Sequence, residues 1–95
     1  MAFAKSVQRH FSVLTARERA LILDAIERQL IHQPLKETRN RKALRPNPIA
    51  PWQLRVEHLR IFYEVAGGDS EVVRILAVGR KRRNSVIIGT KEIRL

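Results

Sequence analysis

Residues 52–56 and 59–65 alternate polar and apolar side chains and are separated by Glu57 and His58 alone. A gap of two residues between alternating runs closes an antiparallel hairpin and leaves few other options. The period of two then assigns side chains to faces. Trp52, Leu54 and Val56 share one face with Leu59, Ile61, Tyr63 and Val65, while Gln53 and Arg55 share the other with Arg60, Phe62 and Glu64. A two-residue turn sets Arg55 directly across from Arg60. Like charges so opposed destabilise a sheet, and an anionic ligand between them would offset the repulsion.

The overall charge points the same way. The 95 residues carry 19 Lys and Arg against 9 Asp and Glu, a formal net charge of +10. Residues 35–60 hold seven of the basic residues and two of the acidic ones, so about half of the excess lies in one loop and the hairpin after it. Such an excess attracts polyanions at moderate salt. A hydrophobic fraction of 44% is ordinary for a folded chain, and the length suits one domain over residues 1–95. Cysteine is absent, which removes disulfides, thiolate metal sites and cysteine nucleophiles together. The N-terminal stretch has no apolar core of signal-peptide length, and no run approaches a membrane span, so a cytoplasmic protein without a membrane partner is expected.

Val7, Phe11 and Leu14 recur at helical intervals and predict a helix over 4–14, with Phe3 ending a short leading strand. Thr15 and Glu18 have the spacing of a capping box. A second helix over 16–32 follows, with Leu23, Ile26 and Leu30 on its apolar stripe and Ile22 on the flank. Pro34 ends it. Pro46, Pro48 and Pro51 stand too close together for regular structure, so 35–51 reads as an ordered loop. A glycine turn over 66–70 leads into a strand over 71–78 that is apolar on both sides, as a central strand must be. Gly79 is expected to break that strand and release the basic run 80–83, after which 85–89 and 91–95 form a closing hairpin.

The basic run leaves a strand whose neighbour carries Arg60, so the run and the arginine pair should converge on one cationic cleft that holds nucleic-acid phosphates. Arg80 and Arg83, with Lys42 and Arg45 of the loop, are the expected backbone contacts. Phe62, by parity on the arginine face, is the aromatic placed to stack a base. Tyr63 and Trp52 read as core. His58 lies in the turn beside the arginine pair, within reach for general acid or base work, although a solvated turn histidine is the plainer reading. His10 and His32 lack partners at ligand spacing, and Glu57, Glu64 and Glu71 form no carboxylate pair. Neither a metal nor another cofactor is expected.

Two helices, a proline-containing basic loop, the segment WQLRVEHLRIFYEV, a glycine turn and EVVRILAVGRKRRN together resemble the RelE/ParE superfamily of bacterial toxins from toxin–antitoxin modules. The likeness spans nearly the whole chain. It implies an α+β fold in which two N-terminal helices pack on one face of a small, curved, mostly antiparallel sheet. It also implies a ribosome-dependent mRNA endonuclease, or else a ParE-like inhibitor of DNA gyrase, while the charge alone would also suit a basic nucleic-acid-binding protein without toxicity. The resemblance places Arg55 and Arg60 at the positions that touch the scissile phosphate in the nuclease branch, and Lys81 at that of a catalytic arginine. Gln53 stands where some nucleases have lysine, and Ile87 where they have tyrosine. The implied partner is a cognate acidic antitoxin, through which alone oligomers are expected to form.

Overall fold

Nine elements follow one another in the computed structural model, which describes residues 1–67 and 72–94. They are β1 (Ala2–Phe3), α1 (Lys5–Ser12), α2 (Ala16–Gln29), β2 (Arg41–Ala43), β3 (Trp52–Val56), β4 (Leu59–Ala66), β5 (Val72–Arg82), β6 (Ser85–Ile88) and β7 (Lys91–Arg94). Strands β2 to β7 lie side by side in chain order, each antiparallel to the next. β1 runs parallel to β5, pairing Ala2 with Arg74 and Phe3 with Ile75. The class is α+β, with both helices against a curved, open sheet. Residues 68–71 of the expected glycine turn lie outside the described residues. Among those described, no helix is long and apolar enough to cross a membrane.

The α2 N-terminus forms as its spacing requires. The Thr15 hydroxyl accepts from the Glu18 amide at 3.1 Å, and the Thr15 amide donates to Glu18 Oε1 at 2.9 Å, which satisfies two amides that the helix leaves free. The helix stops at Gln29, earlier than Pro34 demands, because Arg41 draws its last turn to the sheet: Nη1 donates to the carbonyls of Gln29 (2.5 Å) and His32 (3.2 Å). Ile22, Ala25, Ile26 and Leu30 face the core, whereas Leu23 is half exposed, contrary to its expected place on the stripe. A stripe built on 22, 25, 26 and 30 has the same helical spacing, and the sheet meets that side.

The β3–β4 hairpin has the expected register, Arg55 opposite Arg60 and Trp52 opposite Tyr63. Leu54, Leu59, Ile61 and Tyr63 join Val7, Leu14, Ile22 and Ile26 in the core beneath the helices. Trp52 stacks on Tyr63 with ring centroids 6.2 Å apart, and the Tyr63 hydroxyl donates to the Pro34 carbonyl at 2.6 Å. Tyr63 is thus a buried core residue and Trp52, partly buried, packs against the core from its edge, on the side that parity required. Burial pushes the Tyr63 phenol up to about 12.

The opposite face carries a second, smaller core. Phe62 and Ala77 pack there with Ala50, Val86 and Ile88, flanked by Leu44, Ile49, Leu76 and Ile93. A bulge between Phe62 and Tyr63 shifts the β4–β5 register by one residue, so adjacent Leu76 and Ala77 serve the same core.

Two further expectations need correcting. The segment 35–51 is not wholly loop: β2 adds an edge strand, seeded by the Thr38 hydroxyl accepting from the amides of Asn40 and Arg41. The rest is ordered by Asn47, whose Oδ1 accepts from the amides of Ile49 and Ala50. Nor does Gly79 break β5, which runs on to Arg82. Its role is steric, because a Cβ there would stand 2.4 Å from the Ile87 carbonyl oxygen of β6.

Candidate functional site

Arg55 and Arg60 form one cross-strand row with Gly79 of β5. This row lies on the face opposite the helices, and at Gly79 the backbone of β6 closes against it. Two residues further along β5, Lys81 pairs with Val86 and returns to this face, while Lys42 of β2 pairs with Gln53 on the other flank. The result is a cleft of about 330 Å³ lined by five cationic side chains: Arg39, Lys42, Arg55, Arg60 and Lys81. Asn40, Gln53, Asn84 and Ser85 add polar groups, and none of the described lining residues is acidic.

The cations are held differently. Arg60 is buried (8% exposed), and its Nη1 donates to the carbonyls of Glu57 (3.0 Å) and Leu59 (2.7 Å). This fixes the guanidinium to the turn that created it. Burial, and then the neighbouring Arg55 charge, draw its pKa below the ordinary arginine value, which still leaves it protonated. Arg55 and Lys81 are exposed. The Lys81 ammonium donates to the Arg83 carbonyl, and the Lys81 amide donates to the His58 carbonyl at 2.7 Å, tying the end of β5 to the hairpin turn.

Arg55, Arg60, Lys81 and Lys42 therefore come together as the sequence suggested. Others do not. Arg80 points to the helices, where Nε and Nη2 donate to the Glu18 carboxylate at 2.9 and 2.6 Å and Nη2 also reaches the Val13 carbonyl at 3.1 Å. Arg80, on a strand and not in a loop, alternates away from Lys81. His58 follows it to that side, with Nε2 2.6 Å from Glu18 Oε2; the turn that presents the arginines points the imidazole the other way. Phe62 keeps the predicted face but is fully buried in the second core, so no base can stack on it. Arg45 borders a separate hollow formed by the proline loop. Arg83 sits in the β5–β6 turn beside the cleft and outside its lining. Ile87 pairs with Arg80 and so shares the helix side of the sheet, whereas Ser85 and Val86 are the β6 residues that line the cleft.

Arg39 is the lining cation that sequence reasoning passed over. It lies in a stretch that reads as irregular, and only the pairing of β2 with β3 brings it to the site. Glu18 was seen as a cap alone. It is also the buried anion (6% exposed) that absorbs Arg80 and His58, and the Arg80 hydrogen bonds hold its carboxyl well below the usual carboxylate range. Among the described residues, no cluster of His, Asp or Glu could hold a metal ion.

A family model described as "ParE toxin of type II toxin-antitoxin system, parDE" matches residues 2–85, from β1 to the start of β6. No curated protein and no solved structure matches the chain.

Proposed function

The chain belongs to the ParE toxin family of type II toxin–antitoxin systems, which implies a cognate antitoxin, and from that premise we propose that it is an endonuclease acting on mRNA held in the ribosome. The observation that carries this reading is the convergence of Arg55, Arg60 and Lys81 in one cleft free of carboxylates among its described lining residues. Attack of a 2′-hydroxyl on the adjacent phosphate concentrates negative charge on the phosphorane. Fixed cations stabilise that charge more than they stabilise the ground state. Arg60, braced by two carbonyls, is pre-positioned for this, and Arg55 and Lys81 complete the ring around the phosphate.

No imidazole, carboxyl or phenol is among the described lining residues. As the 2′-oxygen bonds to phosphorus and the bond to the 5′-oxygen breaks, both taking the 2′-hydroxyl proton and protonating the leaving 5′-oxygen therefore fall to water or to groups of the ribosome. A positioned general acid is worth roughly 10²- to 10⁴-fold, so free RNA should be cleaved far more slowly than mRNA on the ribosome. Acidic residues of the antitoxin would neutralise the toxin by occupying the same cleft.

A second reading rests on the ParE description of the matching family and on Gln53 and Ile87, which depart from the nuclease pattern. In it the basic face docks on DNA gyrase and nothing is cleaved. Single-turnover cleavage of a defined mRNA on programmed ribosomes, run beside a gyrase supercoiling assay, separates the two. Ribosome-dependent cleavage with supercoiling intact is the expected result. Loss of supercoiling with transcripts left whole would replace the first reading by the second.

A further inference from the structure

The path of the sheet ends on β2 and β7, and the chain treats these two edges differently. At β2 the backbone groups that point away from β3 are satisfied from within: the Arg41 carbonyl accepts from the Thr38 amide at 3.0 Å, and the Ala43 amide donates to Glu37 Oε1 at 3.2 Å. At β7 they are open. Ile88 and Lys91 flank the two-residue turn from β6 and close it as a hydrogen-bonded pair. The alternation that follows turns the backbone groups of Lys91 and Ile93 toward β6 and those of Glu92 and Arg94 outward, where none has a partner among the described residues. An open row of this kind is a template for a further strand. β7 also lies beyond Ser85, where the family match ends.

The two faces of β7 define what such a strand must carry. Arg82, Ser85 and Arg94 form one cross-strand row, on the same face as Arg80. The neighbouring carboxylate, Glu92, accepts from the Ser85 hydroxyl at 2.6 Å, and neither Arg82 nor Arg94 has an acidic partner among the described residues. On the opposite face Ile93, paired with Val86, is only partly buried at the rim of the second core. A matching strand therefore alternates acidic residues, which meet the arginines, with apolar residues, which extend the core past Ile93. We propose that the β7 edge takes an extended, alternately acidic and apolar segment of the cognate antitoxin, added as an eighth strand to the seven-stranded sheet. Main-chain hydrogen bonds give such an addition its affinity, and the alternation of side chains gives its register. A second copy of this chain fits less well, since joining the edges would bring together two protomers of net charge +10 each. The docking requires only the antitoxin that family membership implies, whether the cleft acts on mRNA or the toxin on gyrase.

Amide hydrogen exchange, read residue by residue by NMR on the full-length toxin alone and in complex with its antitoxin, tests this. In the free toxin the Lys91 and Ile93 amides should exchange slowly and those of Glu92 and Arg94 fast. In the complex the latter two should slow by about tenfold or more. A synthetic peptide of about eight residues alternating Val and Glu, an ordinary strand length, should protect the same two amides. Two N-methylated forms of it, blocking the Glu amides or the Val amides at unchanged charge, should differ in affinity by about tenfold or more, because one set alone can face β7. Arg82→Gln with Arg94→Gln should weaken the unmethylated peptide several-fold and flatten its salt dependence. Fast exchange of Glu92 and Arg94 in the antitoxin complex would overturn the docking. So would equal binding of the two methylated peptides, which would show that charge alone holds them, or peptide affinity unchanged by the arginine substitutions. Protection that grows with the concentration of free toxin would give the edge to a second copy, and protection by an oligouridylate would give it to RNA; either replaces the antitoxin there.

Discussion

Arg55 and Arg60 face each other across a hairpin, yet they are not equivalent. Arg60 is buried and holds two carbonyls of its own turn, whereas Arg55 is exposed. Arg55→Ala should relieve a like-charge pair, leaving the thermal midpoint equal or slightly higher, while growth inhibition after induction is lost. A variant as toxic as the wild type would remove the cleft from the mechanism. Arg60→Ala gains nothing of the kind in stability, because it leaves carbonyls unpaired at a cost of about 1 kcal/mol each. His58 makes a sharper contrast between position in sequence and position in space. It adjoins the arginine hairpin strands, but its imidazole rests on Glu18. His58→Gln should therefore leave the rate of ribosome-dependent cleavage within a few-fold of wild type. A loss of 10²-fold, the scale of a general acid, would show that the imidazole swings into the cleft.

At the scale of elements, Glu18 and Gly79 hold the strands in place. Glu18 caps α2, accepts from Arg80 of β5 and meets His58 of the β3–β4 turn, so one carboxylate joins a helix end to two strand ends. Its folded pKa is depressed below the ordinary value of 4.5. The stabilisation it contributes is thus complete above that value and is lost as the pH falls through the lower, folded one. Glu18→Gln should lower stability at neutral pH, by about 1 kcal/mol because Arg80 and His58 remain partly in water, and should flatten the acid limb of a stability–pH curve below about pH 4.5. An acid limb identical to wild type would mean that other carboxylates govern it. Gly79→Ala would drive a methyl into the Ile87 carbonyl. Because the obstacle is backbone, relief requires β6 to move, and the thermal midpoint should fall steeply along with affinity for RNA. An unchanged midpoint would show that β6 pairs loosely with β5.

For the molecule as a whole, two cores sandwich the sheet unequally. The larger lies under the helices and the smaller under the proline loop and β6–β7. The cleft occupies the part of the second face that neither covers. Much of this was legible in sequence because it rests on local rules: the capping box, the period-two faces of β3 and β4, and the two-residue turn that opposes Arg55 and Arg60 are each set within a few residues. The family resemblance, read from the same segments, agrees with the family match over residues 2–85.

What local rules could not settle is which members of a charged run share a surface. Arg80 and Lys81 are neighbours in the chain and face opposite sides of the sheet, because β5 continues past Gly79 as a strand. Arg80 then meets a carboxylate 62 positions away, and His58 meets the same one from 40 positions away. Arg39 reaches the cleft through the pairing of β2 with β3, and Phe62 is covered by a second layer that the alternation of β4 does not announce. Alternation sorts a strand's side chains into two sets. Whether a set meets helix, loop, solvent or a distant anion depends on segments far off in the chain, and that is resolved when they pack.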